Sequence, residues 1–327
     1  MAKRNDWSIS ALRLLSMCSI VACHICQLYG LGIAWVLNIG VQVFLVISGW
    51  LYGMRPDVVD VGCWYVKRLL RICLPYWLVL IPLLVVDVFF ASQVVTVKAV
   101  FLSLAGVRSG SVPNAAHLWY ISVMLLCYLV TPILSVLWRR LGLWPLVLFA
   151  FAFLLFGNCV VARGIWCVDY VIAFILGRLV RDGIQEKKAL LVTSIIFGGG
   201  CMAFALAECL LGISAYKVLH LLGGPFIFSV FRLLIGCEAF TPSGRLRLLL
   251  TWDDSYSYEI YLVHQIMILG DFSLAIHFSN MPAIVILLAI IWSLVAGYVV
   301  HHLSAGLRNV IETKLVRAIE GEKYPLE

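Results

Sequence analysis

Ten stretches of the chain stay apolar for about twenty positions each, near 8 to 29, 33 to 54, 70 to 91, 117 to 138, 142 to 162, 164 to 181, 189 to 210, 215 to 237, 256 to 276 and 281 to 303. A helix needs roughly 20 residues to cross about 30 Å of hydrocarbon. A backbone in lipid must also satisfy its own hydrogen bonds, and runs of this length do so only as helices. The pattern predicts an all-α, polytopic membrane helix bundle of about ten transmembrane helices that fills 1 to 303, with a polar cytoplasmic tail at 304 to 327. The longest other stretch between spans, 92 to 116, is mildly amphipathic and is expected outside. No repeat, low-complexity tract or separate soluble module interrupts the pattern, so any chemistry is expected from residues in or beside the helices.

Composition agrees with the pattern. The chain is 63% hydrophobic and 13% charged over 327 residues, against about 45–50% and 25% in soluble domains, and its mean hydropathy is +1.02. The formal charge of +7 therefore points to no nucleic acid. It follows from Lys and Arg gathering in cytoplasmic loops. With ten spans and both termini inside, only Lys98, Arg108, Arg163 and Lys217 fall outside and Arg232 falls within a span, leaving the rest of the 24 basic residues on the inner side. Lys3 and Arg4 precede the first apolar run as in a secretory signal. Arg13 interrupts that run and no small-residue cleavage site follows, so it reads as a retained first helix. Most of the 11 cysteines lie in apolar runs, where Cys behaves as a small hydrophobe.

Ionisable groups inside spans are costly and so mark candidate sites: Arg13, His24, Asp87, Asp169, Arg232, Glu259, His264 and Asp271, with His117 and His220 near outer ends. Arg13 and His24 are eleven steps apart, roughly 20° in net rotation and about 16 Å in rise, and so share one helix face at two depths. That suits a long donor with a polyanionic head at the inner mouth and a reactive end inside. It suits equally a snorkelling arginine and a histidine bonded to a neighbouring helix. Arg68 and Arg71, just ahead of Pro75-Tyr76-Trp77, also share a face, and their guanidinium forks could clamp phosphates or simply anchor the helix end. Ser48-Gly49 favours close helix packing over catalysis. Cys23-His24-Ile25-Cys26 is rejected as a metal site, because ligands crowded into four helical residues point apart. No metal is expected.

Taken together these motifs carry a resemblance. Arg13-x10-His24, Val43-Phe44-Leu45-Val46-Ile47-Ser48-Gly49, Arg68-x-x-Arg71 before Pro75-Tyr76-Trp77, His117-Leu118-Trp119-Tyr120 and Tyr258-Glu259-Ile260-Tyr261-Leu262-Val263-His264 resemble, in order, the landmarks of the acyltransferase-3 family of bacterial integral membrane acyltransferases. The resemblance implies that 1 to 303 is a transmembrane acyltransferase domain in the inner plasma membrane. Such a domain moves an acyl group, usually acetyl from cytoplasmic acetyl-CoA, to a hydroxyl of an envelope glycan or lipid-linked sugar. It also implies that Arg13, His24, Arg68 and Arg71 are functional positions. Some members add an extracytoplasmic hydrolase-like domain; none is seen here, so acceptors that need one are not expected.

Transfer to an alcohol needs a base, and His24 is the natural choice because imidazole titrates near neutrality. Arg13, Arg68 and Arg71 would hold the donor's anionic head. A nucleophilic His24 passing through an acyl-imidazole is the other route, and the sequence leaves both open. His117, Trp119, Tyr120, Glu259 and His264 are candidate acceptor-binding residues. Of these, Trp119 and Tyr120 fit an interfacial aromatic belt equally well, Glu259 fits pairing with Arg232 or an arginine of the mouth, and His264 fits a structural hydrogen bond. The rival function is a carrier or flippase for a polysaccharide precursor; against it, 1 to 160 and 161 to 327 show no similarity to each other.

Overall fold

The computed structural model describes residues 6–53, 61–90, 94–142, 168–182, 186–212, 216–235 and 240–323. Among the described residues every regular element is helical: α1 (Trp7–Leu28), α2 (Ala34–Leu37), α3 (Gly40–Gly53), α4 (Val61–Phe90), α5 (Val97–Leu104), α6 (Trp119–Leu141), α7 (Val168–Asp182), α8 (Glu186–Leu211), α9 (Tyr216–Ile235), α10 (Gly244–Val263) and α11 (Pro282–Lys323). Among the described residues seven segments are long and apolar enough to cross a membrane, and Tyr170–Leu179 within α7 is a shorter apolar helix. The protein is a polytopic helical membrane bundle. The predicted fifth span (142–162), the first residues of the sixth, and Lys3, Arg4 and Arg163 lie outside the described residues, as do the side chains of Asp169 and Lys217.

One predicted element is corrected. The ninth span, expected at 256 to 276, is instead a helix from Gly244 to Val263, followed by short 3-10 turns at His264–Met267 and Leu274–Ile276. Apolar character alone does not make residues 264 to 276 an α-helix: Gly270 takes φ +87, and the Ser273 hydroxyl turns back onto the Ile268 carbonyl at 2.7 Å. The helix of the tenth span continues past 303 and runs unbroken to Lys323, so the polar stretch from 304 starts as helix.

The chain divides into two compact units, residues 1–57 with 133–255 and residues 58–132 with 256–327. In the first unit α3 packs on α7, α9 lies against α8 and α3, and α1 lies on α3. The α3–α7 crossing depends on missing side chains. A Cβ on Gly49 would collide with the Phe174 carbonyl, and one on Gly177 with the Val46 carbonyl. Gly49 thus has the packing role its neighbourhood suggests, in the small-residue manner of membrane helices. Outward faces are apolar, as in α8, where Ile195, Ile196, Met202 and Leu206 are exposed. In water that face would be a liability, and in lipid it is ordinary.

In the second unit α11 packs along α4, and α5 braces α4. The Tyr76 hydroxyl donates to the Ser103 carbonyl at 2.6 Å and the Trp77 indole to the Leu104 carbonyl at 3.0 Å. Pro75 lacks the N–H that would reach the Arg71 carbonyl, and the neighbouring Ile72 carbonyl takes the Tyr258 hydroxyl at 2.9 Å. Pro75-Tyr76-Trp77 is therefore where α4 is fastened, one turn beyond Arg68 and Arg71.

Candidate functional site

In the first unit, α1 begins with Asp6 as its cap, its carboxylate accepting from the Ile9 amide and the Ser8 hydroxyl. The same carboxylate receives Arg232 Nη1 at 2.7 Å, and Arg232, 1% exposed, lies 4.3 Å above the Trp50 ring. Arg232 therefore pairs with Asp6.

One turn on, Arg13 Nη1 meets Asp254 Oδ1 at 2.9 Å, and the Ser10 hydroxyl donates to the other oxygen of Asp254 at 2.5 Å. Asp253 beside it is 2% exposed. Burial pushes its carboxyl up to about 7, with the Arg13 charge opposing and the Asp254 charge adding to the rise. Neither aspartate stood out in the sequence. The available signal was the adjacent pair of carboxylates at the polar start of an apolar run.

His24 lies farther along α1, on the face of Arg13. Its Nδ1 is 2.8 Å from Gln27 Oε1, while Gln27 Nε2 contacts Cys23 Sγ at 3.5 Å. The sulfur contact orients the amide so that its oxygen faces the ring. An oxygen acceptor requires the proton on Nδ1, which in the neutral imidazole leaves the lone pair on Nε2. The sequence did not single out Gln27 for this role, although its i+3 position on the helix is the expected spacing.

In the second unit Arg68 and Arg71 stand on α4, the first half-buried and the second exposed. His117, Tyr120, Tyr261 and His264 form one buried cluster: His117 Nε2 is 2.9 Å from the Leu262 carbonyl, and the Tyr261 hydroxyl donates to the His117 carbonyl. The two imidazoles are 5.6 Å apart and nearly perpendicular, and the Tyr120 and Tyr261 rings are 5.1 Å apart. His264 Nδ1 bonds the Tyr261 carbonyl at 2.7 Å. Trp119 sets its ring edge-on to Tyr120 at 6.2 Å. Glu259 does not join this cluster through any hydrogen bond described; its carboxylate lies 3.3 Å from His301 Nδ1, within the electrostatic reach of Arg71 and Arg308.

Asn114 holds this unit's loops together. Its amide donates to Asp87 at 2.6 Å and to Asp271 at 3.3 Å, and its oxygen accepts the Asp271 amide at 2.9 Å. Asp87 is 2% exposed, so its carboxyl group is held by hydrogen bonds and not by water.

Comparison with known proteins finds no match among curated proteins or solved structures. A family model described as an acyltransferase domain matches residues 6–302, a stretch that takes in every residue of the two arginine motifs, His24 and the His117 cluster. This chain therefore belongs to the acyltransferase-3 family and is a membrane acyltransferase.

Proposed function

We propose that the chain is an O-acetyltransferase of the inner plasma membrane. In this reading it takes an acetyl group from cytoplasmic acetyl-CoA and gives it to a hydroxyl of an envelope glycan or lipid-linked sugar. The observation that carries the reading is the His24–Gln27 contact at 2.8 Å, on a helix of an acyltransferase family member. A neutral ring protonated on Nδ1 carries its lone pair on Nε2, the atom that takes the proton of an acceptor hydroxyl in this reading. As that proton is taken, the alkoxide attacks the thioester carbonyl and CoA thiolate leaves. The imidazolium formed can return the proton to the thiolate. Arg68 and Arg71 are assigned to the donor's phosphates through charge-assisted hydrogen bonds, and Arg13, held by Asp254, to orienting the helix that presents His24. His117, Trp119, Tyr120 and His264 are assigned to the acceptor side.

The test is transfer from radiolabelled acetyl-CoA in membranes containing the wild-type protein, His24→Ala or no protein, followed by mass spectrometry of envelope glycans for O-acetyl groups. Label on a glycan or glycolipid that depends on His24 supports the reading. Label that is unchanged in His24→Ala removes His24 as the base. Solute movement in vesicles without any acyl-CoA would support the carrier instead.

A further inference from the structure

Cys23-His24-Ile25-Cys26 is unsuited to a metal, yet its helical geometry keeps the two sulfurs near each other. Along α1, Cys23 and Cys26 are three residues apart, about 60° in net rotation and about 4.5 Å in rise, so their Cα atoms are about 5 Å apart. Disulfides span about 4.4–6.8 Å between Cα atoms. Cys18, the third cysteine of α1, is too far from both, with a rise of about 7.5 Å to Cys23 alone.

Both thiols are free, but they differ in access. Cys23 is 1% exposed, while Cys26 is half-buried in the last turn of α1, which ends at Leu28. A reagent therefore meets Cys26 first, and Cys23 can close a bridge from within. Cys23 is also tied to the reacting ring: Gln27 Nε2 lies 3.5 Å from its Sγ, and Gln27 Oε1 lies 2.8 Å from His24 Nδ1. A bridge to Cys26 turns the Cys23 sulfur away from Gln27 and frees the amide that faces His24.

We propose that Cys23 and Cys26 form a reversible disulfide that slows transfer by releasing Gln27 from His24. The link to activity rests on His24 as the base, as read above. The Cys26 thiolate attacks a disulfide oxidant, forming a mixed disulfide and expelling one thiol. The Cys23 thiolate then displaces the second thiol, so two protein thiols are oxidised and the oxidant is reduced to two thiols. In the expected topology this end of α1 is the outer one, where disulfides persist.

The test treats the detergent-solubilised full chain with dithiodipyridine, an apolar disulfide oxidant. Peptides are mapped by mass spectrometry, and transfer from acetyl-CoA is measured before treatment, after it and after reduction with dithiothreitol. The wild-type protein is expected to gain a Cys23–Cys26 bridge and to transfer about twofold to tenfold more slowly, the worth of one hydrogen bond, with recovery on reduction. Cys26→Ala is expected to match wild type before treatment and to resist the oxidant, because Cys23 alone is out of its reach. Cys26→Ser serves if the alanine variant does not fold. Absence of the bridge, a bridge that leaves transfer unchanged, or equal loss in wild type and the Cys26 variant overturns the proposal and leaves the acyltransferase reading standing. If untreated His24→Ala transfers as well as untreated wild type, the base reading fails, and the proposed link to activity fails with it.

Discussion

Asp254 holds Arg13 directly, carboxylate to guanidinium at 2.9 Å, with Ser10 on the carboxylate's other oxygen. The arginine that sequence spacing offered as a loose cation for a donor phosphate is thus already engaged, and its partner comes from a segment more than two hundred residues away. Such an ion pair fixes the rotation of α1 about its axis, and with it the direction in which His24 points eleven residues on. The two side chains are 24% and 30% exposed, so the pair contributes orientation more than stability.

Arg13→Ala and Asp254→Ala should therefore each lower transfer, and the double variant should be little worse than either single one. Coupling in thermal unfolding should be small, about 0.5–1 kcal/mol for a partly solvated pair. If the two losses in activity multiplied independently, Arg13 would act on the donor by itself and Asp254 would matter for something else.

Asp253 gives a pH signature. The helix that carries it, α10, is not among the segments apolar enough to cross a membrane, and burial lifts its carboxyl to about 7, well above its value in an unfolded chain. Between the two values the folded protein binds the proton that the unfolded chain has released, so stability falls as pH rises from about 4 to 7. Asp253→Asn cannot ionise. It should unfold at a higher temperature than wild type at pH 8 and at nearly the same temperature at pH 4, in detergent melts across that range. Equal pH slopes in the two proteins would show that Asp253 does not titrate there.

Much of this architecture is readable from sequence because lipid imposes a single demand, that apolar runs close their own hydrogen bonds. α1, α4, α8 and α9 fall where hydropathy puts them. Hydropathy fails at α10, whose first half carries Arg245, Arg247, Asp253 and Asp254 and is nevertheless helical because those side chains find partners such as Arg13. The start signal was available in Thr241-Pro242-Ser243 ahead of Gly244, and the stop signal in Leu269-Gly270-Asp271. The site is legible in the same proportion: spacing along one helix gives Arg13 with His24 and Arg68 with Arg71. Asp254 and Asn114 matter through contacts between distant segments, which no local spacing encodes.

His24→Gln separates base from scaffold. Glutamine keeps a hydrogen-bonding amide that can still meet Gln27, but it cannot take a proton near neutrality. Transfer should fall about 10²- to 10⁴-fold, as for loss of a positioned base, with acetyl-CoA binding unchanged because the phosphates are held elsewhere. Retention of most activity in His24→Gln would make the ring a structural contact and turn attention to His117 and His264. Label trapped on His24 when acceptor is withheld would select the acyl-imidazole route over direct transfer.

The hydrogen-bonded hub at Asn114 should matter for stability first and activity second. Asn114→Ala removes the 2.6 Å donor to buried Asp87 and the acceptor for the Asp271 amide, at a cost of about 2–3 kcal/mol if the carboxylate is left without that donor. Gly270→Ala attacks the same hub from the other side. Its φ of +87 is poorly tolerated by a residue with a Cβ, and that Cβ would collide with Asn114 Oδ1. Both variants should lower the unfolding temperature in detergent, and combining them should cost less than the sum of the two, because each disturbs the same contact. Asn114→Asp is the sharper case: it keeps the shape but sets a third carboxylate against Asp87 and Asp271, so the protein should be weakest at high pH and recover as the added group takes a proton. An Asn114→Asp protein as stable as wild type at pH 8 would mean that the contacts of Asn114 do not hold these segments together.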